Sequence, residues 1–478
     1  MKLYVLSLVG FYAAKNATFP GMRDCLVSEG VIPSSIAGVG DSEYVKWNYQ
    51  WNLRRPTLPR GYVRVESEAD VQAAVKCGVR LGFPITVRGG GHSYEKLSML
   101  DGRLVVDLSK LNSIQVNEET ATIGAGALLG QVYAELWSQG KRSVPAGTCP
   151  SVGIAGHTLG GGYGLSSRKY GLMVDNVVSM RVVDARGRML VVDKDSNSDL
   201  FFALRGAGMG SFGIVTQFTF QTFDASSLVN IVSMTYDYSR VTEVMDAWQK
   251  WAVSNPQDSI TATFYISSSY GITINAVVQD DTSVAETVVQ AFPSGFEQDE
   301  PITEKSYIDM IIQYGNSEVI TDLASLAQTT PGSISQYYFK AKSVYISQPI
   351  SKKGISNIAR VIQGSPVDAY ILLDLQGGAI SHPPSNSAFI HRKNLYSIQY
   401  ANYDSSVESG NQGDSFLNTL QAALQPYDSG FSYQNYIDLE LAYPFQRYYG
   451  KALPKLIQIK KKHDPKNIFN NPLSIPLK

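Results

Sequence analysis

The sequence predicts an α+β fold built from two unlike halves, the second an antiparallel sheet covered by helices and inserted into the first. Three observations lead there. At 478 residues the chain is too long for one core, since single cores stop growing near about 250–300 residues. From about 57 to 222, short β-branched runs alternate with helical pieces. From about 224 to 428 the texture changes to long runs of alternating Tyr, Ile, Val and Thr, and the final segment returns to helix.

The elements follow in order. Ser67 to Asp70 reads as a capping box opening a helix to about Leu81. The strand Pro84–Val87 then leads into Arg88-Gly89-Gly90-Gly91-His92. Leu104–Leu108, Ser113–Val116 and Ala121–Gly124 read as strands, and Ala127 to about Ser138 as a helix. Val177–Val183 and Met189–Val192, joined by Ala185-Arg186-Gly187, read as a hairpin. Asp199–Leu204 is a short helix before a Gly-rich turn and the strand Ile214–Phe220. In the second half, Ile231–Tyr236, Ile260–Ile266, Ile272–Val278, Ala369–Leu375 and Leu395–Tyr403 alternate as antiparallel strands. Helices at Thr242–Val253, Ser283–Ala291 and Ser415–Ala423 cover one face. Leu453–Lys462 is the closing helix, stopped at His463-Asp464-Pro465. The expected domains are residues 21–223 with 429–478, and 224–428.

Composition narrows the function. Charged residues make up 17% and hydrophobic ones 44%, against a usual charged share of about 25%, so the chain is globular with a sparsely charged surface. A net charge of -1 gives no footprint for nucleic acid or an anionic membrane. No apolar run reaches the about 18–20 residues that span a bilayer. Met1-Lys2 followed by a short apolar run reads as a secretory signal peptide over residues 1–20, with a first strand as the alternative. Asn16-Ala17-Thr18 is a glycosylation sequon if the chain is secreted. Three cysteines in a secreted chain imply one pair and one thiol with another task. Cys25 and Cys77 lie in plain surroundings and pair, leaving Cys149 for chemistry; in a cytosolic chain all three would be free thiols.

Two constellations carry that chemistry. In Arg88-Gly89-Gly90-Gly91-His92-Ser93, glycines after a strand let backbone N–H groups converge on an anion, with a nucleophilic ring at the mouth of the turn. In the second, Cys149 and His157 stand among Gly147, Gly153, Gly156, Gly160, Gly161, Gly162 and Gly164. That is more glycine than turns need, so the backbone approaches something flat or charged. No metal-ligand spacing is present. Gly206-Ala207-Gly208-Met209-Gly210 follows a helix and precedes a strand, the reverse of a dinucleotide fingerprint.

Arg-Gly-Gly-Gly-His-Ser-Tyr followed by Gly-Thr-Cys-Pro-x-Val-Gly-x-x-Gly-His-x-x-Gly-Gly-Gly-Tyr-Gly resembles the berberine-bridge-enzyme-like family of the vanillyl-alcohol-oxidase (PCMH-type) fold. The likeness, which runs from about Cys25 to Pro472, is greatest to fungal gluco- and chito-oligosaccharide oxidases. It implies an FAD-binding domain, an inserted substrate domain, and FAD joined covalently to His92 and Cys149. The turns at Arg88–Gly91 with Ser93, and at Gly153–Gly164 with Ile154, Gly156, His157, Gly161 and Gly162, would hold the cofactor, with Ile214 and Val215 lining it. Two electron-withdrawing attachments would make the flavin a strong oxidant. The likeness further implies Tyr436 as catalytic base, Asp374 as its supporting carboxylate, and Tyr94 and Gln399 as sugar contacts. Tyr370 and Leu372 stand where the family's oxidases show Trp and Gln, which turns the substrate question toward an allylic or aromatic alcohol. Ile154 stands where good oxidases usually carry Val, which leaves open dioxygen or a quinone-type acceptor. A monomer acting on a small molecule is expected.

Overall fold

The computed structural model describes residues 18–478 apart from 268, 270, 316–318, 334 and 368. The expected leader and its sequon at Asn16 therefore lie outside the described residues except for 18–20. Those three belong to the fold. Thr18 caps the helix Phe19–Ser28, and Phe19 fills the space beside Gly38 and Gly61.

Ser67 and Asp70 exchange side-chain and backbone hydrogen bonds at the start of the helix Glu68–Leu81, and Gly82, in the left-handed region, ends it. The capping box thus places its helix correctly, because both orphan N–H groups are satisfied locally. Cys77 on the inner face of that helix is disulfide-bonded to Cys25, and Cys149 is free.

The first half holds two main sheets. One has the strand order Ile36–Gly38, Gly61–Arg64, Leu104–Asp107, Ile85–Arg88, with the last three parallel. The other is antiparallel, in the order Ile114–Asn117, Thr120–Gly124, Ile214–Gln221, Val177–Val183, Met189–Asp193. The expected hairpin closes on Asp184, whose Oδ1 accepts from the N–H groups of Arg186 and Arg188.

The second half is one antiparallel sheet of seven strands. Their order is Ile302–Ser306, Leu228–Tyr236, Gly271–Val278, Ile260–Ser267, Ala369–Leu375, Tyr396–Asp404, Tyr338–Ile346. Period-two alternation divides its faces. Ala262, Phe264, Ile371, Leu373 and Ile398 join a core with the helices Val241–Val253, Thr282–Gln290, Lys352–Gln363 and Val407–Leu424. The alternate residues face the first half. Tyr307, Ile308, Met310, Ile311, Ile320 and Leu326, from within 224–428, pack into the first half's core.

Three differences from the sequence reading have local causes. The helix expected at Ala127 begins at Leu129, because Leu128 pairs with Gly153 in a β-bridge. The helix expected at Ser415 begins at Val407, capped by Ser406. Its Gly410 and Gly413 depress helix propensity, yet a β-carbon on Gly413 would lie 2.0 Å from Asn402 Nδ2, so the tight packing needs glycine at 413. The edge strand Tyr338–Ile346 was not foreseen, since Lys340 and Lys342 interrupt its apolar pattern.

In the closing helix Leu453–His463, Lys460 is wholly buried rather than solvated. Its Nζ donates to Asp464 Oδ2 at 2.7 Å and to the carbonyls of Ser211 and Phe469. Removing one partner of a buried pair leaves a bare charge. Lys460→Met is therefore expected to destabilise the fold by about 3–5 kcal/mol, read as a lowered guanidinium midpoint, whereas Lys461→Met, on the exposed side, leaves the midpoint unchanged.

Candidate active site

The site is a cavity of ≈ 1830 Å³ between the glycine turns and the open face of the seven-stranded sheet. It is larger than an ordinary small-molecule pocket of about 300–1,000 Å³, so it can hold a dinucleotide and a substrate together.

Its floor is made by two turns docked backbone to backbone. The strand Ile85–Arg88 ends in Gly89–Gly91, and Gly90 meets Gly153 so closely that a β-carbon on either would lie 2.3 Å from the other's nitrogen. Gly164 is pressed on the Ala146 carbonyl in the same way, at 1.7 Å. Glycine is required at these positions because backbone must touch backbone. The contact brings His92 and Cys149 to one side of the cavity, with Ser151 between them. His92 Nε2 is 2.9 Å from Ser151 Oγ, and Cys149 Sγ is 3.8 Å from the same oxygen. Trp51 stacks on the His92 ring at 5.0 Å. Burial pulls the His92 pKa down to about 4 and pushes the Cys149 thiol up. His157 Nε2 accepts from the Gly147 N–H at 3.0 Å, tying the Cys149 turn to the helix Ile154–Leu159.

The roof comes from the sheet. The register sets Thr263 opposite Asp374, Tyr265 opposite Leu372, and Leu372 opposite Gln399. Tyr370, Leu372, Asp374 and Gln399 therefore all reach the cavity from one face. Gln399 Nε2 donates to Tyr94 Oη at 2.9 Å, and the Tyr94 and Tyr436 rings lie parallel with centroids 5.7 Å apart. The turn Tyr433–Tyr436 is pinned to the glycine wall. Tyr433 Oη accepts from the N–H groups of Gly162 and Tyr163 and from Asn435 Nδ2, which also donates to the His157 carbonyl.

Asp374 is buried, and among the described residues its carboxylate accepts one hydrogen bond, from Ser397 Oγ at 3.3 Å. Burial pushes its pKa up to about 7. Tyr436 is raised well above 10, by burial first and then by the Asp374 charge. The two are coupled through space, with no direct hydrogen bond between them.

Of the residues singled out from the sequence, Gly89, Gly90, Gly91, His92, Ser93, Tyr94, Cys149, Gly153, Gly156, His157 and Gly164 line this cavity, as do Ile214, Val215, Tyr370, Leu372, Asp374, Gln399 and Tyr436. Four do not. The Arg88 guanidinium turns back to Asp107 and the Trp47 carbonyl, so its charge is already paired. Ile154 is fully buried behind the wall. Gly161 and Gly162 instead admit Phe389, Tyr433 and Met173 against the backbone. Trp51, Ser151, Tyr265 and Tyr403 were not foreseen. Trp51 and Ser151 lie in loops without period; the tyrosines alternate with core residues, a signal lost among 28 tyrosines.

Comparison with known proteins decides the family. An FAD-binding domain matches residues 59–193, and the berberine and berberine-like domain matches residues 432–476. A chitooligosaccharide oxidase of Gibberella zeae is 30% identical over 98% of this chain and 97% of its own length. The chain belongs to the berberine-bridge-enzyme-like FAD-linked oxidoreductases. BBE-like 1 of Physcomitrella patens superposes on this oxidoreductase with a TM-score of 0.89 at 36% identity, covering 96% of this chain and 99% of its own. A xylooligosaccharide oxidase of Myceliophthora thermophila does so at 0.86 and 26%, covering 95% and 99%.

The cavity of this berberine-bridge-enzyme-like oxidoreductase fits FAD. Among the described residues no Lys or Arg lines it, so a pyrophosphate there would depend on the backbone of the glycine turns, and the close-packed glycines leave no side chain in the way. Gly90→Val is expected to abolish flavin retention, checked as loss of visible absorbance at unchanged chain mass. Gly102→Ala, remote and unpacked though strained in φ, should keep the protein yellow.

Proposed function

We propose that this oxidoreductase oxidises the C1 hydroxyl of an oligosaccharide to a lactone, which then hydrolyses to the aldonic acid, using FAD joined to both His92 and Cys149. The observation that carries the reading is the meeting, in one cavity, of the Tyr436–Asp374 pair with the hydrogen-bonded Gln399–Tyr94 pair. The oxidases of chito- and xylo-oligosaccharides among its relatives support a sugar.

FAD, when bound, supplies the hydride acceptor at flavin N5. The chain supplies the rest. Tyr436 takes the hydroxyl proton of the substrate. A phenol raised above pH 10 cannot do so unaided at neutral pH, so its own proton must move toward Asp374, and the two titrate as a pair. Gln399 and Tyr94, already bonded to each other, position a neighbouring hydroxyl, and the flat faces of Tyr94 and Tyr370 bound the sugar ring. Dioxygen or a quinone-type acceptor completes the cycle. The Cys25–Cys77 disulfide supports secretion, since such bonds persist in oxidising compartments.

Leu372 favours a second reading. It stands beside Gln399 in the cavity, and an apolar side chain there suits an allylic or aromatic alcohol. Anaerobic mixing with a panel of oligosaccharides and aromatic alcohols separates the two: bleaching of the flavin by a sugar establishes the first, and bleaching by aromatic alcohols alone the second. The speed of recolouring in air then decides oxidase against dehydrogenase.

Tyr436→Phe is expected to keep the flavin while slowing its reduction by substrate about 10²–10⁴-fold, measured in anaerobic stopped flow. Because Asp374 must be ionised to receive the proton, reduction should accelerate as pH rises through about 7. Asp374→Asn should remove that limb as well as the rate.

A further inference from the structure

The Ser151 hydroxyl lies in a position that neither the family likeness nor the proposed reaction explains. It is fully buried, and its oxygen is within hydrogen-bonding reach of both His92 Nε2 and Cys149 Sγ. We propose that Ser151 is a positioning residue for covalent cofactor attachment, one hydroxyl that sets the His92 tautomer and holds the Cys149 thiolate at the same time. The inference rests on the bicovalent reading above.

A hydroxyl has one proton to give and two lone pairs to receive with. If Ser151 donates to Nε2, the His92 proton resides on Nδ1 and that nitrogen has no free pair. If Ser151 accepts from Nε2–H, Nδ1 keeps its lone pair, and the serine proton is free to point at Cys149 Sγ. Only the second arrangement leaves both side chains nucleophilic. The surroundings favour it. His92 Nδ1 has no hydrogen-bond partner among the described residues, and Trp51 holds the ring in plane. The imidazole stays neutral, since burial keeps its pKa near 4. The Val152 N–H donates to the Cys149 carbonyl, so the Ser151 hydroxyl is the donor in reach of the sulfur among the described residues, and the nearby Ser151 and Val152 N–H groups act against the burial that raises the thiol.

The balance of each attachment is simple. One N–H or S–H bond and one C–H bond of the cofactor are lost, and a bond between the two heavy atoms forms. The two protons and the electron pair leave on dioxygen as hydrogen peroxide. The imidazole proton lost is the one on Nε2, which Ser151 Oγ holds in a hydrogen bond until it leaves with the peroxide.

Two backgrounds separate the links: Cys149→Ala reports the histidyl bond and His92→Ala the cysteinyl bond. Each is combined with Ser151→Ala or Ser151→Thr, purified with FAD bound, and incubated in air. Samples taken over time are acid-precipitated, and retained flavin is measured by absorbance and by the masses of the peptides bearing residues 92 and 149. A hydrogen bond to the thiolate is worth about 10- to 100-fold and one to the neutral imidazole about 2- to 10-fold. Ser151→Ala should slow attachment by the larger factor in the His92→Ala background and by the smaller one in the Cys149→Ala background, and Ser151→Thr, which keeps the hydroxyl, should restore both; a merely structural serine would show no such rescue. Attachment at the parental rate in either Ser151→Ala background overturns the proposal alone. Acid release of all flavin from the unaltered protein overturns the bicovalent reading and the proposal with it.

Discussion

The contact between Gly90 and Gly153 is the constraint on which the site depends. The two residues come from different local structures, one ending a parallel strand and the other opening a helix, and they meet with no side chain between them. A β-carbon on either would separate the turns by more than an ångström. His92 would then lose Ser151, and Cys149 would no longer share a wall with it. Gly164 on Ala146 repeats the device deeper in the cavity. Each close approach spends the conformational freedom of glycine to bring nucleophiles, a histidine anchor and the Tyr433 turn into one rigid frame. Preorganisation of this kind is what attachment and hydride transfer both need, since neither tolerates an ångström of slack.

The opposite wall is governed by a different rule. In the seven-stranded sheet one face is sealed by helices around Trp248, Phe264 and Leu417, and the strand period forces the alternate residues toward the cavity. A slip of one residue would exchange Asp374 for Leu373 and Gln399 for Ile398. The Asp374 carboxylate is thus held in register by the apolar core behind it, and the helices on the far side of the sheet fix which side chains face the cavity. At the sheet's free edge, Lys340 is buried between Glu95 and Asp438, the chain neighbours of Tyr94 and the Tyr433–Tyr436 turn. This ionic closure of the edge strand sits directly behind the two stacked tyrosines.

How much of this was legible in the sequence follows from the range of each interaction. Local signals were readable: the Ser67–Asp70 cap, the Asp184 hairpin, the alternating strands, and the glycine clusters around His92 and Cys149. The family likeness then pointed to Tyr436 and Asp374, and the structure brings all four into one cavity. What stayed hidden depends on distant partners. Ser151 gains its meaning only when a turn 59 residues away arrives beside it. Arg88, next to a promising glycine turn, is claimed by Asp107 on the adjoining strand. Lys340 and Lys460 look like surface lysines until their carboxylates are placed, and Gly413 looks like a helix breaker until Asn402 is seen against it.

Asp374 shows what such a site costs. Moving its pKa from 3.8 to about 7 means that the folded chain keeps a proton the unfolded chain has released. The stabilisation from holding the neutral acid is fully present below pH 4 and is lost as pH rises to 7; above that the buried charge opposes folding by about 4 kcal/mol. A fold selected for stability alone would place Asn or Leu there. A carboxylate poised near neutrality is useful for a different reason. In the proposed reaction it would be neutral part of the time and, when ionised, would share the proton of a tyrosine whose own titration burial and the Asp374 charge have raised. Ser397, the donor to the Asp374 carboxylate among the described residues, tempers that balance without pairing the charge. The strain on stability and the proposed proton transfer therefore have a single origin, a carboxylate facing a cavity lined by Tyr163, Tyr433 and Tyr436 with no Lys or Arg in its lining among the described residues.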